Sequence, residues 1–240
     1  VLVLGFDTAA AAVSVALHDG TGVAAEAFAA DPRRHGELLA PMIAKVMADA
    51  GASRADLTGI AVGVGPGPYT GLRVGVVTAR VLGAVLGIPV HGLCSLDVIA
   101  AGVRGGGEFL VATDARRGEV YWARYDPSGR RVAGPAVGAA ASVPGAARLP
   151  VAGAGGLLYP EAFGEQIPPA YPDARTLCAL VAARLAVPAD MPAAYPPPPP
   201  GAAPAQPARA AQPALLPPEP LYLRRPDARE PGPPKRVTPS

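Results

Sequence analysis

Gly63-Val64-Gly65-Pro66-Gly67-Pro68-Tyr69-Thr70-Gly71-Leu72-Arg73 is the stretch on which the reading of this chain turns. It closes an apolar run, residues 59–64, of strand length. It opens a segment whose apolar residues Leu72, Val76, Val77, Val81 and Val85 recur at helical spacing. Thr70 is placed to cap that helix and Gly87 to end it. Strand, glycine/proline loop and helix together make the repeating unit of an α/β sheet. Glycines at such a junction also bring backbone N–H groups to a helix N-terminus, where phosphate binds. The spacing departs from the dinucleotide fingerprint, because Pro68 stands at the third glycine, and the Lys-Ser/Thr pair of a P-loop is absent. The other account is mechanical: the glycines let the loop turn tightly and lie against a neighbour. Both accounts remain open on the local chemistry.

Upstream, residues 1–8 form an apolar run. After the small-residue turn 9–12, Val13, Val15 and Leu17 alternate with Ser14, Ala16 and His18, the period of a strand. Asp19-Gly20 supplies a turn and residues 23–29 return as a third strand, making a meander. The period then changes. Leu38, Leu39, Met42, Ile43, Val46 and Met47 predict a helix over 36–50, with Pro41 tolerated in its first turns and Gly51 as its stop. Residues 88–93 predict a strand, and Ser95 is placed to cap a helix through Ala101.

A second group starts at Glu108. Strands are expected over 109–114 and 119–125, joined by the turn 115–118, and Pro127-Ser128-Gly129 turns the chain again. A further strand over 149–153 and an Ala-rich helix over 176–185 follow. A meander followed by alternating helices and strands is an α/β arrangement of mixed sheets with an antiparallel edge, the order of a ribonuclease-H-like lobe. The expected division is a first lobe over 1–105 and a smaller second lobe over 106–187. A Pro/Ala-rich, disordered linker over 188–219 and a short terminal strand with a solvated tail over 220–240 complete it.

Lys+Arg 21 against Asp+Glu 19 gives a net charge of +2, which argues against gripping nucleic acid by the chain's own field. Lys45 and Lys235 are the only lysines, so candidates for a Schiff base or phosphate clamp are nearly absent. Cys94 and Cys178 lack metal-ligand spacing and read as small core hydrophobes of a reducing compartment. Asp7 interrupts the apolar N-terminus and no basic segment precedes it, which reads as a strand and not as a signal peptide. Without an uninterrupted apolar run of membrane-spanning length, a soluble cytoplasmic protein is expected.

GPGPYTGLRVGV, residues 65–76, resembles the signature of the TsaB family. Four other segments agree in order: Phe6-Asp7-Thr8; His35 to Pro41, with Gly36 where the family has serine; Asp114 to Tyr121, DARRGEVY; and Pro220 to Arg224. The resemblance covers residues 1 to about 187 and 220–226. It implies an actin-like (ASKHA) fold of two lobes, the second reduced. It also implies a non-catalytic scaffold and activator that pairs with TsaD, with TsaE joining as an ATPase. That machinery installs threonylcarbamoyl on adenosine 37 of tRNAs reading codons that begin with A. The tRNA would be reached only through the complex, and a homodimer through the same helical face is an alternative state.

For individual residues, Asp7 reads either as part of a phosphate and magnesium site or as a buried, hydrogen-bonded carboxylate; Ala9 to Ala12 remove most phosphate donors beside it. His35 and Glu37 read as an acid–base pair, as ligands, or as groups at a helix start. The HxxxH metal pair of TsaD has no counterpart, because Leu39 stands four after His35. Arg116 and Glu119 are kept as structural or interface residues of a charged hairpin. No catalytic, cofactor or metal residue is assigned. The partner face is expected at His35, Glu37, Leu38, Met42, Leu72, Arg73, Val76 and Arg80, with Gly75, Ala79 and Gly83 allowing close approach. Two other classes are an actin-like ATPase or phosphotransferase using Asp7 and the 65–71 loop, and a glycoprotease-like peptidase, for which no GxSxG elbow exists.

Overall fold

The computed structural model describes residues 1–185 and 213–224. Strand β1, Val3–Ala10, is buried over nearly its whole length because it is central to a five-stranded sheet of order β3-β2-β1-β4-β5. It pairs antiparallel with β2, Ala12–His18, which pairs antiparallel with β3, Val23–Ala29. On its other side it runs parallel to β4, Gly59–Gly63, and β4 to β5, Val90–Leu93. The period-two pattern seen in the sequence sorts the two faces. Leu4, Phe6, Val13, Val15 and Leu17 join one core, and Val3 and Ala16 join the opposite one.

Helices α1, His35–Asp49, and α2, Tyr69–Leu86, cover the first face. The helix expected in the second lobe instead covers the other face. This is Ala174–Leu185 (numbered α5 in chain order), and it packs on β1, β2 and β4. Ser14 Oγ receives its first N–H, from Ala174, at 2.9 Å, and Gly5 leaves room for the Cys178 sulfur. The last helix of the expected second lobe thus packs on the first sheet.

The short helix α3, Ser95–Ala101, leads into the second sheet. That sheet has order β8-β7-β6-β9: β6, Phe109–Arg116; β7, Glu119–Tyr125; β8, Arg131–Ala139; and β9, Val151–Ala152. Its first three strands are antiparallel and the fourth is parallel to β6, which repeats the first sheet without a fifth strand. The fold is therefore the actin-like α/β arrangement with a reduced second sheet. Strand β8 escaped the sequence reading because glycine and proline interrupt its RVAGPAVGA run. A short helix α4, Ala154–Leu158, packs on β6.

Three local expectations are corrected. Pro68, not Thr70, precedes α2, and Thr70 lies inside the first turn without a side-chain cap. Cys94 precedes α3, and the Ser95 hydroxyl is spent on Asp7. Residues 221–224 form no strand; Leu221 N–H bonds the Val64 carbonyl at 2.8 Å, and among the described residues of this segment Leu216 makes a ladder contact, bridging Gly92. The linker expected over 188–219 lies outside the described residues up to 212, and residues 213–219 meet the first sheet's β5 edge at Leu216. The tail beyond 224 is likewise outside them. Helix α2 is long and apolar enough to cross a bilayer by length and composition, although Arg73 and Arg80 interrupt its apolar run. Its Leu72 and Val76 belong to the first core, so one side of it lies on the sheet.

Candidate functional site

Asp7 and Thr8 lie near the end of the buried run of β1 and meet the glycine loop. Asp7 is 1% exposed; its Oδ1 accepts from Ala9 N–H at 2.7 Å and its Oδ2 from Ser95 Oγ at 2.6 Å. Burial pushes its pKa up to about 6, and the bonds from Ser95 and Ala9 and the charge of His35 pull the other way. A Cβ at Gly63 would overlap this carboxylate. Thr8 Oγ1 donates to Gly71 C=O at 2.7 Å and accepts from Gly75 N–H at 3.0 Å. It thereby bridges a donor and acceptor four residues apart, a pair an α-helix closes on itself. Side chains at Gly67, Gly71 or Gly75 would strike Ala9 or Thr8. Of the two accounts of the glycine loop, close packing on β1 explains these four glycines.

Between the two sheets lies a cleft of about 500 Å³, lined among others by Thr8, His35, Tyr69, Asp114, Arg116 and Leu157. His35 is 9% exposed and its Nε2 sits 2.8 Å from the Ala10 carbonyl. Glu37 points to solvent and pairs with Arg34 at 2.9 Å. The two do not form an acid–base pair. Among the described residues no group of three or more His, Cys, Asp or Glu side chains is placed to hold a metal. Cys94 and Cys178 are buried and free, their thiols pushed up mainly by desolvation.

The hairpin after β6 takes left-handed backbone at Arg116, Arg117 and Gly118, with φ of 65°, 58° and 76°. Asp114 stabilises it by accepting from Arg116 N–H at 2.7 Å and pairing with its guanidinium at 3.2 Å. Glu119 pairs with Arg224 of the C-terminal segment, a tie with no local sequence signal because the partners are far apart in the chain.

The residues of the expected partner face fall on different sides of their helices. Leu72 and Val76 are 0% and 1% exposed, in the core against the sheet, and Gly75, Ala79 and Gly83 lie on that inner side too. Gly75 and Gly83 bring α2 close to Thr8 and Val90. The outer side carries Val77, Val81 and Val85, which are 50%, 55% and 76% exposed, with Arg73 and Arg80 exposed beside them. Leu38 and Met42 are half-buried along the first core.

A family model described as TsaD: tRNA N6-adenosine threonylcarbamoyltransferase matches residues 21–161. An uncharacterized protein of Mycobacterium leprae is 50% identical over 157 residues, which is 63% of this chain and 43% of that protein. The tRNA threonylcarbamoyladenosine biosynthesis protein TsaB of Escherichia coli is 40% identical over 127 residues, 51% of this chain and 54% of that protein. The chain thus spans about half the length of these two relatives. The solved structure of YeaZ from Pseudomonas aeruginosa superposes with a TM-score of 0.64 and 31% identity, covering 77% of this chain and 92% of that one. The chain belongs to the TsaB/YeaZ family. In TsaB/YeaZ terms, the signature loop over 65–76 is the segment packed on Thr8 and Ala9, and the DARRGEVY hairpin is the one tied to Arg224.

Proposed function

We propose that this chain is a non-catalytic scaffold subunit that docks a TsaD-type threonylcarbamoyltransferase on the outer side of α2. The observation that carries the reading is the stripe Val77, Val81 and Val85, three large apolar side chains left half or more exposed on one helix face. Successive valines four residues apart make the ridge that packs against another helix, and Arg73 and Arg80 flank it as a polar rim. The TsaB name of the Escherichia coli relative supplies the pathway, threonylcarbamoyladenosine formation on tRNA. In this reading TsaE joins the assembly, tRNA is reached through the complex, and the setting is the cytoplasm. A second copy of the chain competes for the same helical face.

The experiment is co-purification with the TsaD-type enzyme, followed by measurement of threonylcarbamoyladenosine in tRNA. Product is expected only when both chains are present, and none from this chain alone. Full product formation without the chain would overturn the scaffold reading. Titration calorimetry with magnesium–ATP on the isolated chain should show no low-micromolar binding; such binding, lost in Asp7→Asn, would favour an ATPase.

A further inference from the structure

We propose that residues 216–224 act as a clamp that sets the opening of the cleft between the two sheets. Their anchors fall in order from the first sheet to the second. Leu216 and Gly92 of β5 exchange two backbone bonds, each 2.8 Å. Gly92 is needed there, because a Cβ would run into the carbonyls of Leu216 and Pro217. Leu221 N–H then reaches the Val64 carbonyl just past β4 at 2.8 Å. The Tyr222 ring stacks on Tyr69 at the start of α2, with centroids 5.2 Å apart. Finally Arg224 pairs with Glu119 and donates to the Ala115 carbonyl at 3.2 Å, gripping the β6–β7 hairpin. The Arg224 and Glu119 side chains are 29% and 33% exposed, which shelters the pair from full solvent screening.

Another tie between the sheets is of a different kind. Leu96, Ile99 and Cys94 around α3 share a core with Phe109, Val111 and Tyr125, and Tyr125 Oη donates to Asp97 at 2.7 Å. A packed core of this sort serves as a pivot, with Leu216 and Leu221 of the strap resting on it, whereas the β6–β7 hairpin farther out is held through Arg224. The hairpin that Arg224 holds carries Asp114 and Arg116 into the cleft wall opposite Thr8 and Gly71. Releasing the clamp therefore frees that wall to swing about the α3 core. Tyr69 also receives the Arg73 guanidinium, at 2.6 Å to its hydroxyl, so the clamp reaches the first turn of α2. The clamp needs no partner and stands apart from the docking reading.

The test places one cysteine on each cleft wall of the whole 240-residue chain, Thr70→Cys and Leu157→Cys, both exposed positions. Cys94 and Cys178 are 0% exposed, so spin labels go to the introduced pair. Pulsed electron-spin distance measurement should give a narrow distribution. Adding Arg224→Ala should shift it to longer distance by more than its original width. Glu119→Gln, which removes the same ion pair from its other end with little change of shape, should do the same. Arg34→Ala, which breaks an exposed pair at α1 outside the clamp, should leave it unchanged. An unchanged distribution in Glu119→Gln, or an equal shift in Arg34→Ala, would overturn the clamp.

Discussion

The Thr8 hydroxyl, wedged between Gly71 and Gly75, makes a residue-scale prediction with a definite sign. On helix propensity alone, Gly75→Ala should stabilise α2 by about 1 kcal/mol. A Cβ there would meet Thr8 Oγ1, and overpacking of this kind costs ~1–3 kcal/mol. Net destabilisation is expected in denaturant titration, and Thr8→Ala in the same chain should recover part of it. A more stable single variant would mean that β1 can yield. Asp7 makes a second prediction. Its folded pKa of about 6 lies above the ordinary 3.8, so the folded state holds the proton more tightly than the unfolded one. The stability this contributes is complete below pH 4 and is lost as pH rises through 6, about 3 kcal/mol in all. Asp7→Asn cannot ionise, so its stability relative to the native chain should rise between pH 4 and pH 7. A constant difference over that range would refute the buried-carboxylate account.

At the scale of the element, α2 has two apolar stripes and the sheet takes the one built from small residues. Gly71, Gly75, Ala79 and Gly83 let the helix axis approach β1 and β5, while Leu72 and Val76 fill the core. The valines at 77, 81 and 85 are left outside. Val81→Asp should therefore keep the circular dichroism spectrum and thermal transition while lowering affinity for the TsaD-type partner at least ~100-fold, because a carboxylate would be buried unpaired in the interface. Val76→Asp should unfold the chain, since it places the charge in the sheet's own core. Normal complex formation by folded Val77→Asp and Val81→Asp proteins would remove the docking face from α2.

For the whole molecule, the C-terminal return matters more than its composition suggests. Leu216 packs against both the first core and the α3 core, and its backbone extends the β5 edge. Leu216→Ala should cost on the order of 1–2 kcal/mol, less than a fully buried leucine because the residue is only half-buried. The loss should appear as a lower midpoint in a single cooperative thermal transition. An unaltered midpoint would mean that residues 213–219 rest on the sheet without stabilising it.

The residues alone determined much of this protein. Alternation in 13–18 marks β2 and its faces, helical spacing marks α1 and α2, and the 65–76 signature points to the family. These features are local: period and turn chemistry act over a few residues, so they can be read in order along the chain. Tertiary structure decided which stripe of α2 meets the sheet, because both stripes are apolar and only close approach to Thr8 and Val90 selects the glycine side. It decided that the loop glycines serve packing on β1, that Ser95 turns to Asp7 in place of capping α3, and that α5 crosses back to Gly5 and Ser14. It also brought Arg224 to Glu119 across more than a hundred residues of chain. Each of those outcomes depends on a neighbour distant in sequence, and a one-dimensional pattern carries no record of that neighbour.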